Sequence, residues 1–432
     1  MTGKLRVAVI GGGTGGLCLA QGLHQAGVDV AVYERSRTRT ERLQGYRVHI
    51  NPQGARALHE CLPSGLWDAF VATSGEQDAA FGFVTEQLRE LLLLGEDLIR
   101  SSAPESSHYS VSRITLHQVL SSGLAGVLHY DKRFERYEQD ADGEITCFFA
   151  DGSTAVADVV IGADGSGSPV RGQRLPHAVR KDTGILAIAG KFRLTDESRR
   201  LLPARLVDGP NSVMPPRGCG MFVAPHRMRE EVNGFGGNDV TAEADGVLFD
   251  NTGSYLMWAY AADRARYPDP AALSTMAGGD LRDLVGGLIA DWHPGLRRVV
   301  ADSPAGTVTM LPIWTSEPVD AWEPSPVTLL GDAIHSMTPF RGIGANIALR
   351  DARLLCRNLV AADRGRDLLD AIGDYERQMR EYGFAAVRDS LRSAEQFVSD
   401  SRVGRGMAKG MFRLFEAVPP LKRRVFSEPA AS

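Results

Sequence analysis

The chain has 432 residues and carries a formal net charge of −5. This length suggests two or three domains, and the weak negative charge provides no basic surface for nucleic acid. The five cysteines are scattered without paired spacing, which argues against a disulfide framework and a metal site and fits a reducing cytoplasm. No apolar run reaches the roughly 18 residues of a membrane helix, and glycines interrupt the first apolar stretch too early for a signal peptide. We therefore expect a cytoplasmic protein without a membrane span.

The first recognisable element is VAVIGGGTGGLCLA, Val7–Ala20. Its glycines Gly11, Gly13 and Gly16 have the spacing G-x-G-x-x-G between an apolar strand and a predicted helix, Thr14 to about Ala26. The first glycine allows a tight turn, the second lets a pyrophosphate approach the main chain, and the third lets helix pack on strand. The amino end of the helix has unpaired N–H groups and a positive dipole, both of which suit a diphosphate.

A second predicted strand, VDVAVYER, ends at Glu34. A carboxylate at this place can accept hydrogen bonds from both ribose hydroxyls of an adenosine, whereas a 2′-phosphate would be repelled. The strand, helix and acid in this order predict a dinucleotide site that prefers FAD or NAD to NADP.

Two later segments each place an aspartate after an apolar strand. In ADVVIGADGSGSPVR, Ala157–Arg171, the strand ends in Ala-Asp-Gly at Asp164. In VTLLGDAIHSMTPFRGIGANIALRDA, Val327–Ala352, it ends at Asp332, and a loop rich in Pro and Gly enters a helix near Ile343. Because open α/β sheets bind ligands at the carboxyl ends of their strands, Asp332 is placed to accept a hydroxyl hydrogen from a sugar-like chain. The helix start would direct its N–H groups at an adjacent acceptor.

These three separated motifs, in this order, resemble the FAD-dependent aromatic hydroxylases related to para-hydroxybenzoate hydroxylase, the group A flavin monooxygenases. The resemblance covers nearly the whole chain. It implies that the glycine loop and Glu34 hold the ADP half of FAD, and that Asp164 and Gly165 contact the pyrophosphate and take part in NAD(P)H binding. Asp332 would bind ribitol. The residues that the resemblance assigns to the cofactor are Gly11, Gly13, Thr14, Gly15, Gly16, Glu34, Arg35, Arg47, Arg113, Asp164, Gly165, Gly331, Asp332, Gly342, Gly344, Ala345 and Asn346.

Two arginines are assigned by their local motifs. Arg113, in SRITLHQVL, matches an arginine at a helix start that reaches the FAD, and Arg47, in QGYRVHI, matches one in a loop beside the cofactor. The alternative for either is a surface salt bridge, which contributes little to stability. Gly344 and Ala345 would face the pyrimidine edge of the flavin.

The resemblance also implies an α/β fold, in which a Rossmann-type FAD-binding domain is interleaved with an antiparallel-sheet substrate domain and followed by C-terminal helices. The expected FAD-binding segments are residues 1–76, 101–178 and 303–365. The substrate domain is expected at 77–100 and 179–302, with a hairpin in AFGFVTEQLRELLLL and further strands in ILAIAGKFRL, GCGMFVAP and SYLMWAYAA. Residues 366–432 are expected to form helices. The basic end, MAKGMFRLFEAVPPLKRRVF, suits either a lipid surface or, as we favour, a packed helix with a solvated outer face.

The implied activity is hydroxylation of an aromatic or polycyclic substrate, such as a natural-product intermediate, with NADH or NADPH and O₂, through a flavin C4a-hydroperoxide. FAD is expected to be non-covalent, no catalytic base is assigned, and the protein is expected to be a monomer or homodimer. A flavoprotein reductase or epoxidase is an alternative, as is a flavin-dependent halogenase, although the W-x-W-x-I-P signature of halogenases is missing. A plain NAD dehydrogenase, or a protein that only binds a nucleotide, would have no use for Asp332.

Overall fold

The strands and helices follow from a computed structural model, which describes residues 4–38, 47–75, 80–95, 103–227 and 253–426. The strands in the described residues are, in chain order, β1 (Arg6–Ile10), β2 (Asp29–Tyr33), β3 (Arg47–Ile50), β4 (Ala80–Val84), β5 (Glu90–Gly95), β6 (Tyr109–Ser112), β7 (Leu128–His129), β8 (Phe134–Gln139), β9 (Ile145–Phe149), β10 (Thr154–Ala157), β11 (Val159–Gly162), β12 (Arg180–Arg193), β13 (Asn211–Val213), β14 (Cys219–His226), β15 (Tyr255–Asp263), β16 (Thr309–Ser316) and β17 (Val327–Leu329).

The helices alternate with these strands over most of the chain and dominate its last quarter. They are α1 (Thr14–Gln25), α2 (Pro52–Cys61), α3 (Ser64–Thr73), α4 (Arg113–Ser121), α5 (Pro169–Arg174), α6 (Asp196–Arg200), α7 (Ala204–Asp208), α8 (Gly278–Leu288), α9 (Pro294–Ala301), α10 (Asp332–His335), α11 (Gly344–Asp363), α12 (Leu368–Phe397), α13 (Arg402–Ala417) and α14 (Pro419–Phe426). In the part of the chain that the structure describes, no helix is both long and apolar enough to cross a membrane.

The first of two units comprises Met1–Thr73, Ala103–Lys181 and Trp314–Leu391. Its centre is a parallel sheet in the order β17-β11-β1-β2-β7, with β1 paired to β11 and β2 in direct register. Strands β1 and β11 are apolar runs buried on both faces, as parallel strands covered by helices must be. The carboxyl ends of β1, β2, β11 and β17 therefore lie along one edge, and this arrangement confirms the predicted Rossmann-type sheet.

The second unit comprises Ser74–Ser102, Asp182–Ile313 and Arg392–Ser432. Its sheet has the order β16-β12-β15-β14-β13-β4-β5. One face packs into an apolar core around the fully buried Trp258. The predicted hairpin forms from β4 and β5, and β12, β14 and β15 pair antiparallel as expected. The sheet is not wholly antiparallel, however, because β13 pairs parallel with β4. These two strands lie far apart in the sequence.

The C-terminal residues divide at a different place from the one predicted. The expected helical segment, 366–432, is split between Leu391 and Arg392, within α12. The first part of α12 belongs to the first unit because Tyr375 donates a hydrogen bond to the carbonyl of Leu329 in β17 (2.8 Å). Residues 303–313, expected in the FAD-binding domain, belong to the second unit, where β16 joins the seven-stranded sheet.

Three of the cysteines that are scattered in the sequence meet in the first unit. Cys18 in α1, Cys61 in α2 and Cys356 in α11 are buried free thiols. They meet where Gly22 leaves room, since a Cβ atom there would lie 2.7 Å from the sulfur of Cys356. A hydrogen bond with Cys18 and burial together raise the pKa of the Cys61 thiol. The pKa of the Cys356 thiol is also raised, and such raised pKa values make Cys61 and Cys356 packing residues.

Candidate functional site

The predicted residues lie on the loops that leave the carboxyl edge of the parallel sheet. The glycine loop follows β1 and turns sharply at Gly11, whose φ is +110°. A Cβ atom there would lie 2.4 Å from the carbonyl oxygen of Ala163, so the end of β1 lies against the end of β11. A Cβ at Gly13 would meet no atom within 4 Å. The loop is therefore packed on its inner side and open above Gly13.

Glu34, the first residue after β2, is tied to the glycine loop. Its Oε2 accepts a hydrogen bond from the Gly12 N–H at 2.7 Å, and its Oε1 accepts from the main chain and hydroxyl of Ser36 at 2.9 and 2.8 Å. Each carboxylate oxygen has further acceptor capacity for a sugar hydroxyl. The neighbouring Arg35 is exposed.

Three helices of the first unit begin at the sequence motifs, and none of them has a side-chain cap within the described residues. These are α1, α10 and α11, whose preceding residues are Gly13, Gly331 and Ile343. By contrast, α2, α4 and α5 are capped by Asn51, Ser112 and Ser168. The helices α1 and α11 therefore leave their first N–H groups to another acceptor, as expected where a helix start binds an anionic or carbonyl group. In α10, by contrast, the N–H groups of Ala333 and Ile334 already donate to the carbonyls of Leu330 and Gly331.

Asp164 lies after β11, and Gly165 follows it with a φ of +81°. One carboxylate oxygen, Oδ2, accepts from the Val170 N–H at 3.3 Å. The other, Oδ1, is buried and has no hydrogen-bond partner among the described residues. Burial raises the pKa of Asp164. An unpaired buried acceptor is costly, so this oxygen fits a site that a ligand completes.

Asp332 begins α10 at the end of β17. Its side chain is accessible, yet it is surrounded closely enough by protein that burial raises its pKa, against the opposing effect of His335, Arg113 and Arg180. A carboxylate that is accessible and yet closely surrounded by protein lies in a cleft. Arg113 is the first residue of α4, as predicted, and is exposed.

A buried network fixes the turn before Asp332. The carboxylate of Asp351 in α11 accepts hydrogen bonds from the Gly331 N–H at 2.7 Å, from His335 Nε2 at 2.7 Å and from the Tyr382 hydroxyl at 2.5 Å. We call these four residues the Asp351 network. Burial opposes protonation of His335, but the carboxylates of Asp351 and Asp332 together outweigh it and raise the pKa of the imidazole. The network holds Gly331 at a φ of +62°, which directs Asp332 outward.

Asn346 joins the start of α11 to β3 and α2. Its amide nitrogen donates to the carbonyl of His49 at 2.8 Å, and its oxygen accepts from the Asn51 N–H at 2.8 Å. Gly344 and Ala345, ahead of it, form the first turn of α11, and Gly342 before them has a φ of +62°. The side chain of Asn346 is therefore structural, and the N–H groups of the helix start are what can face a ligand.

Arg47 differs from the prediction. It is the first residue of β3 rather than a loop residue, because β3 pairs antiparallel with β6, where Arg47 Nε donates to the Ser110 hydroxyl at 2.7 Å. The three residues before it in QGYRVHI lie outside the described residues.

Sequence reasoning missed several residues of this edge. Arg180 begins β12, and its charge opposes the rise in the pKa of Asp332 that burial causes. Arg171 donates to the carbonyls of Ala333 and Ser166 at 2.7 and 3.0 Å. The sequence does indicate that Asp351 is unusual. It lies on the apolar face of α11, four residues from both Ile347 and Leu355. An acid on a buried helix face needs a partner. Among the described residues, no group of three or more His, Cys, Asp or Glu side chains is placed to hold a metal ion.

Comparisons with known proteins agree with this geometry. A family model described as an FAD binding domain matches residues 4–197 and 296–390, more than half of the chain. A solved structure, a putative FAD containing monooxygenase from Photorhabdus luminescens, is 38% identical with a TM-score of 0.79, covering 91% of this chain and 99% of that one.

Two curated relatives add detail. The dual O-methyltransferase/FAD-dependent monooxygenase elcB of Phaeosphaeria nodorum is 29% identical over 85% of this chain, which spans only 42% of that protein's length. The 3-amino-4-hydroxybenzoate 2-monooxygenase of Streptomyces cremeus is 29% identical over 91% of this chain and 88% of its own length. The chain thus belongs to the family of FAD binding domain proteins.

Proposed function

We propose that the protein is an FAD-dependent monooxygenase that uses NAD(P)H and O₂ to hydroxylate an aromatic small molecule. The observation that carries this proposal is the edge of the parallel sheet, where the uncapped starts of α1 and α11 converge with Asp164 and Asp332. The names of the relatives supply the reaction class, since they include FAD-dependent monooxygenases.

The residues present fit FAD. The open space above Gly13 and the uncapped start of α1 suit the diphosphate, and Glu34 suits the adenosine ribose. Asp332 would accept from a ribitol hydroxyl, and the buried Oδ1 of Asp164 is an acceptor without a donor among the described residues. Bound FAD supplies electron transfer from NAD(P)H and the activation of O₂.

The start of α11 would stabilise negative charge on the bound cofactor. Its first N–H groups, at Gly344 and Ala345, have no side-chain cap, and the positive end of the helix dipole lies there. Such N–H groups stabilise negative charge that develops on a ring carbonyl held against them. Asn346 would keep this helix start in place through His49 and Asn51.

The second unit offers a surface for the substrate. On the sheet face opposite the Trp258 core, the register aligns Ala189, Ala259, Phe222, Ser212 and Phe83 in one row across five strands. Small side chains leave room for a flat ring, and Phe222 offers an edge or stacking contact, whereas Phe83 is already stacked on Phe412 of α13. These features support an aromatic substrate, and a polycyclic natural-product intermediate is the form that we favour.

The test is oxygen incorporation. The protein should purify yellow and release free FAD on denaturation. With a substrate that accelerates NADH or NADPH oxidation, incubation under ¹⁸O₂ should add one labelled oxygen to the product. A product formed without label would contradict monooxygenation and leave the reductase alternative.

A matched pair of variants tests the cofactor site. Asp332→Ala should lose FAD occupancy and coupled hydroxylation together, with residual NAD(P)H oxidation diverted to hydrogen peroxide as water reaches a loosely held flavin. Asp370→Ala, at an exposed position of α12, should leave both unchanged. Equal FAD occupancy in the two variants would contradict the assignment of Asp332.

A further inference from the structure

Helix α13 is fixed to the second unit by its inner face. The buried Arg405 donates to the carbonyl of Pro215 at 3.1 Å, and the ring of Phe412 stacks on Phe83 with the centroids 4.4 Å apart. Glu416 accepts from the Leu93 N–H at 2.9 Å. These contacts fix which face of the helix points outward.

The outward face is apolar, contrary to the solvated face that we expected from the sequence. The exposed residues Val403 (74%), Met407 (69%), Met411 (48%), Leu414 (53%) and Val418 (38%) recur every three or four positions. They form one stripe along a helix of 16 residues, about 24 Å long. We call these five residues the α13 stripe. More than half of the large apolar side chains that are exposed in the described part of the chain lie in α13 and its continuation to Val425.

The exposed charges within α13 and α14 have one sign, and the exposed Asp400 just before them is paired with Arg266. Arg402, Arg413, Arg423 and Arg424 are exposed, whereas no acidic residue described between Ser401 and Phe426 is exposed. Glu416, the acid of this stretch, is engaged with Lys422 at 2.9 Å. A second copy of the chain would bring the same arginines face to face, which is unfavourable. A surface of anionic lipid headgroups complements both the arginines and the stripe.

We propose that α13 binds the surface of an anionic membrane, lying in its plane with the α13 stripe inserted below the headgroups and the arginines at headgroup level. A helix with a strongly apolar face and a basic polar face binds lipid interfaces in this way. The contact is peripheral and independent of the flavin chemistry, and it would bring the enzyme to apolar substrates dissolved in the bilayer.

The experiment is co-sedimentation of the full-length FAD-loaded protein with vesicles. Vesicles of equal parts phosphatidylglycerol and phosphatidylcholine should bind the protein, vesicles of phosphatidylcholine alone should bind it much less, and added NaCl should weaken the binding. Met407→Glu with Met411→Glu should weaken the binding by at least about tenfold, because it places two charges within the apolar contact. Val403→Glu with Leu414→Glu is a second, independent pair with the same expected result.

The control is Leu369→Glu, which changes another exposed apolar residue (43% exposed), on helix α12, and should leave the binding unchanged. Light scattering of each protein gives its mass in solution. Absence of vesicle binding would overturn the proposal, as would wild-type binding by both double variants. A wild-type dimer that the same double variants convert to a monomer would also overturn it, because the stripe would then be covered by a second copy.

Discussion

Replacing Asp351 with asparagine removes the negative charge at the centre of the Asp351 network. The carboxylate is fully buried and accepts three hydrogen bonds, from Gly331, His335 and Tyr382. An amide keeps one acceptor oxygen and presents an NH₂ group where the other oxygen was. The Tyr382 hydroxyl can turn to accept from that NH₂ group, but His335 loses the negative charge beside it, and the turn at Gly331 loses part of its support.

The expected effect is large because the site is buried. Hydrogen bonds to a charged group contribute about 1.5–3 kcal/mol each, and breaking a buried charged contact by removing one partner costs about 3–5 kcal/mol. In a domain of about 150–250 residues, each kcal/mol lowers the melting temperature by about 2–4 °C. Asp351→Asn should therefore lower the melting temperature of the first unit by about 6 °C or more.

Thermal melting of the apoprotein measures this loss, and a flavin fluorescence titration measures the second consequence, a weaker affinity for FAD. Tyr382→Phe is the matched variant, since it removes one of the three donors and leaves the charge. Its effect should be in the same direction and smaller. Melting within about 2 °C of the wild type with unchanged FAD affinity in Asp351→Asn would refute the view that this network positions the cofactor-binding turn.

Three further outcomes are expected. His335 has its pKa raised above 6.5 in the fold, so its stabilising charge is complete below that pH and is lost as the pH rises through the raised value. The melting difference between the wild type and His335→Gln should therefore shrink from pH 6 to pH 9, and a constant difference would contradict the charge on His335. Gly22→Ala should destabilise by about 1–3 kcal/mol, because its Cβ would press on the Cys356 sulfur, whereas Gly65→Ala, with nothing within 4 Å, should be neutral or stabilising by thermal melting. Glu34→Gln should weaken FAD binding by about 1.5–3 kcal/mol in a titration while turnover at saturating FAD stays near the wild-type value, and wild-type affinity would mean that Glu34 does not hold the ribose.

Neighbouring residues alone predict several elements of this fold. A glycine spacing behind an apolar strand predicts a turn and a helix start, because only glycine adopts the φ of +110° found at Gly11 without strain. Patterns of neighbouring residues also predict the hairpin of β4 and β5 and the acidic residues that follow strands, Glu34, Asp164 and Asp332. Since parallel strands bring their carboxyl ends to one edge, the sequence places Glu34, Asp164 and Asp332 along that edge.

Long-range packing selects which distant groups become partners. No local pattern says that Asp351 accepts from Gly331, that three scattered thiols meet beside Gly22, or that β13 pairs parallel with β4. Long-range contacts also determine which face of α13 is exposed. The amphipathic pattern of α13 does not say which face of the helix is buried. The contacts of Arg405 and Phe412 with the second unit leave the valine, methionine and leucine side chains exposed. Periodicity fixes what a segment forms, whereas long-range packing fixes which of its faces is buried.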